Sequence, residues 1–217
     1  DINYKEHLES EAEDINSIYS QIEVLFSELK NKPEEVVDKL LTDWLDYENY
    51  GVNEYVARKL GEASSSYPIV ELKLLENLHN KSSCWYSNIV LALGYLRNAS
   101  QVTIDNLISL VQNHEDKIIC LDAAKALIQL NIYHDFVLNQ LLFLFKEPEP
   151  NKFDYFYEQD LNFNSQVFEA LVQLGQTFDE VAPALAHWIE QNQGKDYTEQ
   201  GIDALWMLIE GSTASQL

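Results

Sequence analysis

Five histidines, His7, His79, His114, His134 and His187, and two cysteines, Cys84 and Cys120, are the side chains of this sequence best suited to ligating a metal or serving as nucleophile or base. A helical metal site needs paired ligands on one face, as in HExxH, and no two of these histidines stand at such a spacing. His114 precedes Glu115, which makes a single His-Glu dyad. An iron pair requires several such ligands, so His114 reads as a turn histidine. Cys84 and Cys120 lie 36 residues apart, neither a metal nor a redox spacing. They read as small buried groups or free thiols, which favours a reducing, cytoplasmic compartment. No nucleophile elbow, phosphate-binding loop or dinucleotide turn occurs. A non-catalytic protein with no metal and no cofactor is expected.

The other chemistry within reach is recognition. In LFLFKEPEPNKFDYFYEQDLN, residues 141–161, Pro148 and Pro150 stop a helix. Phe153, Tyr155, Phe156 and Tyr157 then place four rings in five residues, beside Glu147, Glu149, Asp154, Glu158 and Asp160. Rings framed by carboxylates suit a surface that anchors a partner by its aromatics and selects it by charge. The alternative is that the rings fold back over the protein's own edge.

Charge narrows the partner. The formal net charge of the 217 residues is −22. Residues 1–50 hold 14 acids and 4 bases, residues 51–145 hold 9 and 7, and residues 146–217 hold 13 and 3, giving −10, −2 and −10. Phosphate backbones and anionic lipid surfaces are bound through Lys and Arg, so nucleic acid and membrane are disfavoured. The field attracts a basic protein, or else serves solubility alone. No apolar run is long enough to cross a bilayer, and residues 1–30 show no basic-then-apolar export signal. The triplets at Asn80 and Asn98 match the glycosylation pattern without other sign of secretion.

The elements that position these residues repeat. YVARKLGEA, IVLALGYL, DAAKALIQL, VFEALVQLG and IDALWMLIE align on Leu60, Leu93, Leu127, Leu171 and Leu205, at steps of 33, 34, 44 and 34 residues. The preceding position reads Lys59, Ala92, Ala126, Ala170 and Ala204. Four residues back stand Val56, Ile89, Ala123, Val167 and Gly201, and three residues on stand Ala63, Leu96, Leu130, Leu174 and Leu208, which is one face of a helix. An upstream helix keeps the same period at Leu45, Leu78, Val111, Phe145 and Ile189. Each unit is therefore a helix pair, and the extra residues of the fourth unit fall between its two helices. Ile15, Ile18, Ile22, Leu25, Phe26 and Leu29 form a separate amphipathic stripe, expected to cap the N-terminal end. Pro33 with Glu34 and Glu35 begins the next helix, and Gly211 is expected to end the last. Trp44, Trp85, Trp188 and Trp206 fall at or beside apolar columns and read as core.

LISLVQNHEDKIICLDAAKALIQL, residues 107–130, resembles a HEAT repeat, and the resemblance extends over residues 34–210. It implies an all-α, right-handed α-α superhelix of about five helix pairs: a capping helix in 1–32, the solenoid in 33–211 with an insertion at 146–160, and a tail in 212–217. In HEAT-like arrays the second helices line the inner curve. A polar column five residues before each marker leucine, Tyr55, Asn88, Asp122, Gln166 and Gln200, would then floor a groove; otherwise it is a solvated helix face. The arginine usual at the start of the second helix is replaced by Asn53, Tyr86, Cys120, Asn164 and Thr198, which puts the usual polar ladder in doubt. Deoxyhypusine hydroxylase, a HEAT-repeat di-iron enzyme, needs four His-Glu dyads where this chain has one. HEAT-like alkylpurine DNA glycosylases use a basic groove that this acidic chain lacks.

The expected function is a protein-binding module for a basic partner, in its sharper form an inhibitor or immunity-type protein that neutralises a toxin nuclease. The alternatives are an enzyme or cofactor-handling protein on a HEAT scaffold, similar to phycobilin lyases, and a structural scaffold subunit. Oligomeric state is open.

Overall fold

The computed structural model describes residues 2–45, 47, 49–79, 86–132, 135–145 and 163–214, with side chains described from residue 15 to residue 210. Every element among them is helical: α1 (Ile2–Glu28), α2 (Pro33–Lys39), α3 (Tyr50–Ala63), α4 (Ile69–Leu78), α5 (Tyr86–Gly94), α6 (Gln101–Asn113), α7 (Lys117–Gln129), α8 (Asp135–Leu144), α9 (Phe163–Thr177), α10 (Val181–Gln191) and α11 (Thr198–Ala214). No helix among the described residues is long and apolar enough to cross a membrane. The residues form two compact units, Asp1–Thr103 and Ile104–Leu217, and the boundary falls within α6.

In the first unit, α1 carries the expected stripe, with Ile22 and Leu29 buried and Ile15, Ile18, Leu25 and Phe26 half-buried. α1 packs on α2, α2 on α4, and α3 on α5. Pro33 occupies the first turn of α2 with Glu34 and Glu35 beside it, where a missing N–H costs nothing and acids meet the positive helix end. A π-helical turn, Leu40–Trp44, prolongs α2, and its one extra residue per turn lets Leu40, Leu41 and Leu45 all reach the core. Asn49 caps α3 by accepting from the Val52 N–H at 3.2 Å. Glu71 of α4 accepts from the Ser100 N–H at 2.7 Å and from the Thr103 hydroxyl at 2.5 Å, so a carboxylate satisfies the donors at the start of α6. Lys73 bridges from α4 to Glu34 and Asp38 of α2 at 3.2 and 3.1 Å.

In the second unit, α7 packs on α9 and α9 on α11, while α8 packs on α7 and α9, and α10 on α9 and α11. Asp116 caps α7 through the Ile118 N–H at 2.8 Å. The same helix ends in a Schellman motif: Asn131, at φ 56°, donates to the Ile128 carbonyl and Ile132 to the Leu127 carbonyl, both at 2.9 Å.

Leu60, Leu93, Leu127 and Leu171 are fully buried, as are Leu45, Leu78, Val111 and Phe145 of the upstream column, and the alanine column lies beneath them. Truncating any one of the four leucines to Ala would cost about 2–5 kcal/mol. In the fifth pair Leu205 and Ile189 are only half-buried. Two expectations fail at this end of the chain. Gly211 does not stop the last helix, which runs through it to Ala214, because a glycine ends a helix only where the backbone turns left-handed. Trp206 is not core but 62% exposed, whereas Trp188 is buried and Trp44 half-buried. Trp85 lies outside the described residues.

Candidate partner-binding surfaces

The aromatic insertion, with Phe153, Tyr155, Phe156, Tyr157, Glu158 and Asp160, lies outside the described residues. The polar column does not, and most of its members bond to a neighbouring element. Tyr55 of α3 donates its hydroxyl to Glu23 of α1, stacks edge-on against Tyr19 with centroids 4.9 Å apart, and lies under Arg58 and Lys59. Lys59 closes the cluster by pairing with Glu23 at 2.9 Å. Burial first, then the bond to Glu23, push the Tyr55 phenol up to about 12, and the bonds from Tyr55 and Lys59 hold the Glu23 carboxyl below its ordinary value. Asn88 of α5 donates to the Leu45 carbonyl at 2.8 Å, reaching the end of the first helix of the preceding pair.

In the second unit, Gln166 of α9 accepts from Lys125 of α7 at 2.6 Å. Asp122, one turn before Lys125, and Glu169, one turn after Gln166, both favour the charged ammonium, yet burial outweighs them and lowers the Lys125 pKa. Gln200 of α11 keeps a buried side-chain carbonyl with no partner among the described residues. Three of the five column residues, Tyr55, Asn88 and Gln166, thus tie their helix to an earlier element, and the column is half-buried throughout.

The residues standing in for the usual arginine behave differently. Asn53, Cys120 and Thr198 are buried. The Cys120 thiol donates to the His114 carbonyl at 3.2 Å and the Thr198 hydroxyl to the Asn192 carbonyl at 2.5 Å, each within its own helix pair. Burial, with Asp116 nearby, raises the Cys120 thiol, which makes it a poor nucleophile. Cys84 and His134 lie outside the described residues, and no group of His, Cys, Asp and Glu among those described could hold a metal ion.

No family model, curated protein or solved structure matches this chain. Its surfaces must be read from their own chemistry.

The surface that sequence reasoning missed is on α11. One face of that helix, Gly201, Ala204 and Leu208, is buried. A Cβ on Gly201 would sit 2.7 Å from the Trp188 ring of α10, and one on Gly175 of α9 would sit 2.5 Å from Leu208. The opposite face presents Ile202 (49% exposed), Trp206 (62%) and Ile209 (50%) at i, i+4 and i+7, with Met207 (48%) beside them. Glu199, Asp203 and Glu210 run alongside, all exposed, and α11 contains no lysine or arginine. The sequence carries only a partial signal, apolar residues on a second face of one helix, and does not show that α9 and α10 leave that face uncovered.

Proposed function

We propose that this chain is a non-catalytic α-solenoid of HEAT-like helix pairs that binds a basic protein, in its sharper form an inhibitor or immunity-type protein occupying the cationic site of a nuclease. The observation that carries the reading is the serial packing of second helices in one register, α3 on α5 and α7 on α9 on α11, with the marker leucines Leu60, Leu93, Leu127 and Leu171 buried at the same position. Helix pairs that each contact their neighbours build long faces suited to gripping other proteins. The charge of −22, concentrated in the two ends of the chain, selects a cationic partner and speeds its encounter.

The test is a titration of the purified chain with a basic nuclease and with a neutral protein of similar size. The reading expects association with the nuclease alone, inhibition of its activity, and a Kd that rises at least about tenfold between about 50 mM and about 500 mM salt. Binding that ignores salt, or no binding to either protein, overturns it. Absorbance changes on mixing with metals or a tetrapyrrole would instead favour the cofactor-handling alternative.

A further inference from the structure

Resting on the reading of the chain as a binder of basic proteins, we infer that the outward face of α11, centred on Ile202 and Trp206, docks one amphipathic helix that has an apolar stripe and basic flanks. The register of the pairs locates the site. Three residues before and one after the marker leucine stand Ala57 and Gly61 in α3, Ala124 and Ile128 in α7, and Ile202 and Trp206 in α11. Ala57 and Gly61 are buried on the helix that α5 covers, and Ala124 and Ile128 on the helix that α9 covers. In α9, which α11 covers, these positions hold Phe168, half-buried, and Val172, buried, whereas in α11 the same two positions are about half exposed or more. The face therefore has the geometry of a helix-packing surface and lies open to solvent.

Charge decides the occupant. Glu199 and Asp203 border the stripe, no base on α11 offsets them, and residues 146–217 carry −10. A second copy packed face to face would set these carboxylates against one another, whereas lysines and arginines flanking a partner's apolar stripe would pair with them. An exposed tryptophan with aliphatic neighbours is the composition of an interface anchor, and spacing at i, i+4 and i+7 matches a helix laid into a helical groove.

The probe is a designed peptide of about 18 residues, long enough for about five helical turns, with Leu and Ala on one face and Lys and Arg on its flanks. One control replaces the bases by Glu, and another keeps the bases but replaces the apolar face by Gln. Binding is followed by fluorescence anisotropy, with sedimentation to report self-association. The parent chain is expected to bind the basic amphipathic peptide and neither control. Ile202→Ser/Trp206→Ser weakens it by about tenfold or more, and Glu199→Gln/Asp203→Asn flattens its salt dependence. Unchanged affinity in the Ile202→Ser/Trp206→Ser variant, or equal binding of the Gln-faced peptide, overturns the assignment of this face while leaving a basic-partner module standing. Failure of both the peptide and a basic nuclease to bind at low salt overturns both readings. Self-association of the parent chain that the serine variant abolishes would assign the face to a second copy and overturn the partner proposed.

Discussion

Gly61 of α3 lies so close to Tyr95, just after α5, that a Cβ on the glycine would stand 2.3 Å from the Tyr95 carbonyl oxygen. The obstacle there is backbone, which cannot move without shifting the helix end that carries it. At Gly175 the obstacle is the tip of the Leu208 side chain at 2.5 Å, which can change rotamer. Gly61→Ala is therefore expected to destabilise the protein by about 2–3 kcal/mol, overpacking outweighing a helix-propensity gain of about 1 kcal/mol. Gly175→Ala is expected to fall within about 1 kcal/mol of the parent. Urea denaturation of the two variants beside the parent measures both, and equal losses would contradict the distinction between backbone and side-chain contact.

The ends of α7 offer a test of local stabilisation. Asp116→Ala removes the side-chain acceptor for the Ile118 N–H and is expected to cost about 1 kcal/mol. Asn131→Ala places a residue poorly suited to φ 56° in the Schellman turn and is expected to cost a similar amount, about 1 kcal/mol. Asn131→Gly should be no less stable than the parent, and thermal melts of the three variants rank them.

Tyr55 and Glu23 set two pH windows. The raised phenol pKa of Tyr55 means its contribution is complete below pH 10.0, the ordinary tyrosine value, and disappears as pH climbs through about 12. The depressed Glu23 carboxyl contributes fully above its ordinary 4.5 and loses that contribution as pH falls through its lower folded value. Phenolate absorbance should show Tyr55 among the last tyrosines to ionise. Tyr55→Phe should remove the alkaline loss and reduce the acid one, and an unchanged stability–pH curve would show that the contact is absent in solution.

Lys125 runs the other way. Its pKa is lowered in the folded state, so over the window below 10.5 the unfolded chain binds more protons and stability rises with pH. Lys125→Met keeps the aliphatic bulk and removes the buried charge. The variant is expected to be at least as stable as the parent near neutral pH and to lose the alkaline rise. Denaturation midpoints at about pH 7 and about pH 9.5 check the sign.

Much of the site was legible as register. Tyr55, Asn88, Asp122, Gln166 and Gln200 share one position because helical spacing transmits directly from sequence to face. What those atoms bond to was not legible, since it depends on which helix lies opposite. Asn88 reaches the Leu45 carbonyl across 43 residues and Gln166 meets Lys125 across 41, distances over which no local rule operates. The Ile202 and Trp206 face was hidden for the same reason, because their apolar character reads as core wherever a neighbour is assumed.

By itself, the amino-acid sequence determined that the described residues are helical, where α2 and some of the second helices begin, which of the repeated leucines and alanines face inward, and that the chain is strongly acidic. These follow from periodicity, capping chemistry and charge, all of which act within a few residues or sum over the chain. Tertiary structure alone decided that Tyr55, Asn88 and Gln166 of the polar column tie helices together, that α11 runs past Gly211, and that Trp206 stays in solvent. Burial is a property of the space beside a residue, and that space is set by elements tens of residues away.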